Sequence, residues 1–209
     1  MRLKVNPNRM ELLRLRRRYA LALRGHKMIK DKLDGLMKEF LHLSRDYKDI
    51  REAVDRRLPE LLEPFVLARF ASPKDAVDTA LEHFGGALEI NLRYRRVLNV
   101  ALPSYEASLP PVPHYSLLDT ASHLDTAISG LRDYLPRILR LAELEHSVWL
   151  LAKEIKETRR RVNALEYILI PELRESIRYI KAKLDEMERF HISRLMKVKE
   201  MLEAKRAAI

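Results

Sequence analysis

Residues 11–58 read ELLRLRRRYALALRGHKMIKDKLDGLMKEFLHLSRDYKDIREAVDRRL. A strict 4-3 spacing runs through this stretch: Leu12, Leu15, Tyr19, Ala22, His26, Ile29, Leu33, Leu36, Phe40, Leu43, Tyr47, Ile50, Val54 and Arg57, continuing to Leu61. Only His26 and Arg57 among them are polar. Positions three and four apart lie on one face of a helix, and this spacing sustained over several heptads marks a coiled-coil seam. No proline falls between Arg9 and Leu58. About 50 residues, each rising about 1.5 Å, predict a rod of roughly 75 Å.

The C-terminal part carries the same spacing with its phase broken twice. One block is Leu117, Ala121, Leu124, Ile128, Leu131, Leu135, Ile138 and Ala142. The next is Leu141, Leu144, Val148, Leu151, Ile155, Thr158, Val162 and Leu165. The last is Ile177, Ile180, Leu184, Met187, His191, Arg194, Val198 and Met201. Between these blocks Leu165, Leu169, Leu173 and Ile177 are spaced 4-4-4, which locally unwinds a left-handed supercoil. Pro171 lies inside that break and is expected to bend the helix, because it lacks a backbone donor. Two long helices joined by a compact insert should fold back as an antiparallel pair, each seam covering the other.

Eight of the 10 prolines lie from Pro59 to Pro136. They predict a compact middle between the two long helices. Ser72-Pro73 opens a short helix and Gly85-Gly86 ends it. Alternation continues at Leu88, Ile90 and Leu92, then Val97, Val100 and Leu102, which predicts a β-hairpin turning near Tyr94-Arg95. Leu109-Pro110-Pro111-Val112-Pro113 reads as an extended linker. Ser116-x-x-Asp119 resembles a capping box that starts the last helical region. The predicted fold class is all-α dominated: a long antiparallel two-helix coiled coil from the N- and C-terminal helices, with a small middle insert of short helix plus β-hairpin. The expected parts are 1–63, 64–115 and 116–209, the first and last paired.

The chain has 209 residues, 40 Lys and Arg against 30 Asp and Glu, a net charge of +10, 5 glycines and no cysteine. Without cysteine there is neither a disulfide framework nor a thiolate zinc site. Few glycines and no Gly-rich phosphate motif argue against a nucleotide cradle. The basic start, Met1 to Tyr19, lacks the apolar core of a signal peptide, and no 18-residue apolar run offers a membrane span. The expectation is a soluble intracellular protein that does not itself insert into a membrane.

Heptad position decides among the catalytic patterns. The motif E-x-x-H occurs at Glu39/His42, Glu143/His146 and Glu188/His191, the spacing used by di-iron sites in helix bundles. His42 and His146 fall on outward positions, so surface charge is the better reading. His26 and His191 fall on the seams, as polar positions that fix register. No nucleophile elbow is present. No catalytic residue, cofactor or metal site is expected. The basic runs Arg14-x-Arg16-Arg17-Arg18 and Arg159-Arg160-Arg161 read as a solvated helix face, a phosphate-backbone contact, or a complement to an acidic protein sleeve.

Two stretches carry a family resemblance. Asn8-Arg9-Met10-Glu11-Leu12-Leu13-Arg14-Leu15, followed by Arg24-Gly25-His26-Lys27 and Lys30-Asp31-Lys32, resembles the N-terminal helix of the D subunit of V-type and archaeal A-type ATPases/ATP synthases. Lys156-Glu157-Thr158-Arg159-Arg160-Arg161-Val162-Asn163-Ala164-Leu165-Glu166-Tyr167, ending in Ile170-Pro171, is similar to that family's C-terminal signature. Gly130 and Pro136 depart from the family pattern.

The resemblance implies a non-catalytic rotor subunit, the axle of the central stalk, which binds no nucleotide. It implies that the paired terminal helices enter the hexamer of catalytic A and B subunits. The middle would meet the F subunit and the membrane-side C/d subunit above the proteolipid ring. On that footing Arg9, Met10, Leu13, Arg16, Arg17, Arg159, Arg160, Arg161 and Lys197 are expected to face the hexamer. Val162, Asn163, Ala164, Leu165, Glu166, Ile170 and Pro171 are the family-motif positions. Leu88, Ile90, Leu92, Tyr94 and Val97 are expected to touch stalk partners. The implied location is peripheral, on the cytoplasmic side of a membrane. The competing reading is a basic helical scaffold or a coiled coil that binds nucleic acid or a membrane surface.

Overall fold

Asn8 sets the start of the first helix. Its Oδ1 accepts the Glu11 N–H at 2.6 Å, which satisfies one free donor of the first turn. The structure, a computed structural model, describes residues 6–86, 89–108 and 120–207. In chain order these form α1 (Arg9–Ala71), α2 (Lys74–Gly86), β1 (Glu89–Val97), β2 (Val100–Ser108), α3 (Ser122–Ala164), a π-turn (Leu165–Leu169) and α4 (Ile170–Ala207). The predicted fold class holds: the long N- and C-terminal helices pack together, with a short helix and a hairpin between them in sequence. Leu88, Leu117, the linker Leu109 to Pro113 and the Ser116-x-x-Asp119 cap lie outside the described residues.

The chain divides into two compact units. One holds the described residues up to Leu33 with those from Glu157 onward. Here α1 and α4 run antiparallel: Arg9 pairs with Glu188, and Arg174 donates to Tyr19 Oη at 3.2 Å. Leu15, Ala22, Ile170, Leu173 and Ile180 form the buried seam, with Leu12, Tyr19, Ile177 and Leu184 against it. Each large apolar side chain so buried contributes about 1.5–3 kcal/mol, whereas an exposed ion pair contributes about 0–1 kcal/mol. The seam, not the charges around it, holds this unit.

That seam stops at Leu184, earlier than its spacing predicted. Every side chain from Asp185 to Glu203 is exposed, including the expected seam positions Met187, His191, Arg194, Val198 and Met201. The cause is register. Glu188 already lies opposite Arg9, the first residue of α1, so no turn of α1 remains to face the rest of α4.

The break around Pro171 takes the form of a π-turn, with the Ile170 N–H bonded to Leu165 O. In a continuing α-helix the proline ring would press on the Tyr167 carbonyl. A wider turn just ahead of it relieves that pressure, and the extra residue is carried in that one turn.

The second unit, Asp34–Lys156, pairs α1 with α3, again antiparallel. Tyr134 donates to Ala53 O at 3.1 Å, and Leu61 lies against Gly130. Leu36, Leu43, Leu144 and Leu151 are joined in the core by Leu102 of β2. Val54, Tyr134 and Leu141 extend it, and Ala68, Val77, Ala80, Leu124 and Ile128 close the corner where α1, α2 and α3 meet. Ser72 Oγ accepts the Ala121 N–H at 2.8 Å across that corner.

Three of the prolines do not mark helix ends. Pro59 and Pro64 lie inside α1 and Pro136 inside α3. An interior proline disfavours a helix by about 3 kcal/mol. Leu58, Leu61, Phe65 and Ala68, buried or half-buried around the first two, offset that penalty. Leu58 also replaces the predicted seam residue Arg57, which is exposed and pairs with Glu60.

The hairpin forms with Val97 opposite Val100, so its turn is Leu98-Asn99 rather than Tyr94-Arg95. Both turn residues have positive φ, 46° and 73°. Such a two-residue turn matches the twist of the strands, and asparagine tolerates it. Leucine does so poorly, but Leu98 reaches the surface of Gly35, where an added Cβ would come within 3.0 Å of Leu98 Cδ1.

Gly130 is explained by the same kind of contact: an added Cβ would meet Leu61 Cδ2 at 3.1 Å. Gly130→Val should therefore lower stability by about 1–3 kcal/mol through overpacking. Leu61→Ala in the same chain should couple with it, the double variant losing less than the sum of the singles in thermal melts.

Candidate interaction surfaces

The terminal unit presents the basic residues singled out in the sequence. Arg9, Arg16, Arg17, Arg159, Arg160, Arg161 and Lys197 are all exposed, as are Met10 and Leu13. Arg9 pairs with Glu188, Arg161 with Glu157 at 3.6 Å, and Lys197 with Glu200 at 3.8 Å. Lys183 donates to Glu186 at 2.7 Å, and that hydrogen bond, then the same carboxylate's charge, raises its pKa. These are solvated surface pairs, which leave the cations able to exchange partners.

Apolar side chains interleave with the charges. Met187, Phe190, Ile192, Leu195, Met196, Val198, Met201 and Leu202 are all exposed along the end of α4. A helix segment with this many unburied apolar groups is a surface suited to a partner.

The family-motif positions divide by role. Val162 and Ile170 are buried in or beside the seam, and Leu165 is half-buried. Asn163, Ala164 and Pro171 are exposed. Glu166 brings Oε2 to 3.5 Å from His26 Nε2, on the opposite helix.

In the second unit the hairpin separates its own residues by face. Ile90, Leu92 and Tyr94 stand opposite Ala107, Tyr105 and Pro103, and the three are 50%, 49% and 65% exposed. Val97 points to the other face and joins Val100 and Leu102 against the helices. On that face Arg95 reaches Glu39 at 3.7 Å, and Arg93 reaches Glu106 at 3.1 Å. Of the five positions expected to meet partners, three share one open face, one packs inward, and Leu88 is outside the described residues.

Two further patches went unread in the sequence. Tyr105 Oη lies 3.3 Å from His146 Nδ1, the His146 ring lies 6.2 Å from Trp149, and Lys153 Nζ sits 5.7 Å from the Trp149 ring centre. Leu62, Val66, Leu67 and Phe70 are exposed near the end of α1, Phe70 at 87%. The available signal was a large apolar residue at an outward heptad position.

The E-x-x-H pairs are not brought together. Glu39 goes to Arg95, Glu143 to Arg140 and Glu188 to Arg9. His42 pairs with Asp46 at 3.2 Å. Among the described residues no group of three or more His, Asp or Glu could hold a metal ion, and no helix is long and apolar enough to cross a membrane. Arg51 is held above its ordinary pKa by its hydrogen bond to Asp55, an exposed neighbour one turn along α1.

Comparison with known proteins agrees along the whole chain. The family model for the ATP synthase D subunit matches residues 11–200. A protein named as a V-type ATP synthase D subunit, from Acetivibrio thermocellus, is 44% identical, over 96% of this chain and 92% of its own length. The protein of that name from Clostridium novyi is 40% identical over 100% and 99%, and one from a Thermoanaerobacter species is 42% identical over 95% and 96%.

Because α4 beyond Leu184 buries nothing against α1, removing Asp185 onward should leave the thermal midpoint of the rest nearly unchanged. The far-ultraviolet helical signal should fall in proportion to the residues removed. Circular-dichroism melts of the full and shortened chains check both.

Proposed function

The chain belongs to the family of ATP synthase D subunits, and from that premise we propose that it is the central-stalk axle of a V/A-type rotary ATPase. It passes torque between the membrane ion-driven ring and the catalytic A and B subunits. It thereby couples ATP synthesis or hydrolysis to proton or sodium transport, and carries no catalytic residue of its own. It works peripherally, on the cytoplasmic side of the membrane.

The observation that carries this reading is the unburied end of α4. A helix that exposes every side chain from Asp185 to Glu203, many of them apolar, is stable in use only where another surface surrounds it. The hexamer of A and B subunits would supply that surface, with Arg9, Met10, Leu13, Arg16 and Arg17 at the same end. A rotor must also avoid locking onto its bearing. Exposed arginines and lysines with weak, exchangeable pairs meet that need better than a continuous apolar interface.

The middle part, 64–115, is read as the stalk-facing region. The open hairpin face of Ile90, Leu92 and Tyr94 is the contact for the F subunit or for the membrane-side C/d subunit. Residues 1–63 and 116–209 form the axle proper. Stiffness along it is supported by α1, a single helix of 63 residues. Unequal action on successive catalytic sites is supported by the π-turn and the changing seam phase, which make the surface non-uniform.

In the reconstituted complex, Arg16→Glu with Arg17→Glu should reduce ATP-driven ion pumping severalfold while the melting of the isolated chain stays within about 0.5 kcal/mol, as for surface substitutions. Unchanged ATPase activity and coupling would reject the hexamer-facing assignment. Ile90→Ser, Leu92→Ser and Tyr94→Ser together should abolish co-purification with the other stalk subunits without loss of the hairpin. A basic scaffold would instead show salt-dependent binding to anionic vesicles or nucleic acid.

A further inference from the structure

We propose that His26 and Glu166 form a proton-controlled latch that holds the π-turn Leu165–Leu169 against α1. Three observations meet at this point of the terminal unit. The turn is π, with a five-residue bond from Ile170 N–H to Leu165 O, and Pro171 comes directly after it. None of its residues is buried, and Tyr167 and Ile168 are 71% and 58% exposed. His26 Nε2 is shielded from solvent and has no hydrogen-bond partner, yet Glu166 Oε2 stands 3.5 Å away.

Packing anchors the turn only through the half-buried Leu165 and Leu169, the latter against the seam, so a bond from Glu166 to the facing helix adds to its hold. Among the residues of the turn, Glu166 alone carries a formal charge. Its charge across the seam makes His26 the natural anchor. With the imidazole protonated, Nε2 becomes a charged donor facing a carboxylate, and a small approach completes a charge-assisted bond. With the imidazole neutral, that bond either weakens or becomes a lone pair facing an anion.

Other charged groups lie on the two helices that carry the pair. Lys27 and Lys30 lie on its own helix, both exposed, and oppose the added charge. On the facing side Arg161 is engaged by Glu157, and Arg174 by Tyr19. Glu166 is therefore the group that decides the sign. Protonation of the imidazole closes the latch and loss of that proton opens it, so the hold on the turn weakens as pH rises. This device does not depend on the axle reading, because it lies wholly within one chain.

Amide hydrogen exchange of the purified full-length protein tests it, followed by mass spectrometry from pH 5.5 to 8.5 and corrected for intrinsic rates. The peptide spanning Leu165 to Leu173 should be about threefold to fivefold better protected at the acid end, the range for a partly exposed ion pair. A peptide around Leu36 should show no such change. Glu166→Gln, at an exposed position that leaves the seam intact, should erase the pH dependence, as should His26→Gln. Should His26→Gln fail to fold, Glu166→Gln alone decides. Equal protection at both pH limits in the unaltered chain, or a pH dependence that survives Glu166→Gln, would overturn the proposal.

Discussion

The apolar face of α1 is the constraint on which the rest of the molecule depends. In the terminal unit it presents Leu15 and Ala22 to Ile170, Leu173 and Ile180. In the other unit it presents Leu36 and Leu43 to Leu144 and Leu151. Each buried leucine or isoleucine among them contributes about 1.5–3 kcal/mol, more than an exposed ion pair at about 0–1 kcal/mol. Secondary choices follow from keeping this face covered. Interior prolines are tolerated where Leu61 and Phe65 pack beside them. Gly130 gives up a side chain so that Leu61 can approach. The hairpin is seated by Val97, Val100 and Leu102, with Tyr105 reaching His146 and Arg95 reaching Glu39, while Ile90, Leu92 and Tyr94 stay exposed.

Much of this was legible because periodicity is a direct consequence of burial. The first helix up to Val54 and the block from Leu141 to Val162 could be read residue by residue, since a seam repeats at the spacing that geometry imposes. The failures have physical causes. The third block kept its spacing beyond Leu184, but periodicity reports which face could be buried and not whether anything lies opposite. That second fact depends on the register of two segments far apart in sequence. The prolines misled because local propensity was weighed without the tertiary packing that offsets it. The Leu98-Asn99 turn was missed because a leucine with positive φ has no local signature; its support comes from Gly35, on another element.

The candidate surfaces divide along the same line. Arg16, Arg17 and Arg159 to Arg161 are exposed, as the reading of the basic runs as a solvated helix face expects. The shared face of Ile90, Leu92 and Tyr94 obeys the period of two in a strand, but the sequence reading grouped Val97 with them because it set the turn at Tyr94-Arg95. By contrast, the strip linking Tyr105, His146 and Trp149 is assembled from a strand and a helix, and only the fold brings them into contact. A basic surplus by itself also suited nucleic acid or a membrane. What separated the readings was the pair of sequence motifs, supported by family membership.

The polar residues inside the seam sharpen the picture of how such a helix pair is specified. Thr158 and Ser176 are almost fully buried, and Ser147 nearly so. Ser176 Oγ donates to Glu172 O at 2.8 Å, one turn back on its own helix, so burying it requires no bond across the seam. A small hydroxyl satisfied in this way lets two helices approach closely without fixing what lies opposite. His26 differs: its secluded Nε2 has no hydrogen-bond partner on its own helix, and the group that faces it is Glu166, in the turn that breaks α-helical geometry. Polar groups closed on their own helix make a seam tolerant. A polar group that looks across it makes one point of the seam conditional, and that point coincides with the turn that departs from α-helical geometry.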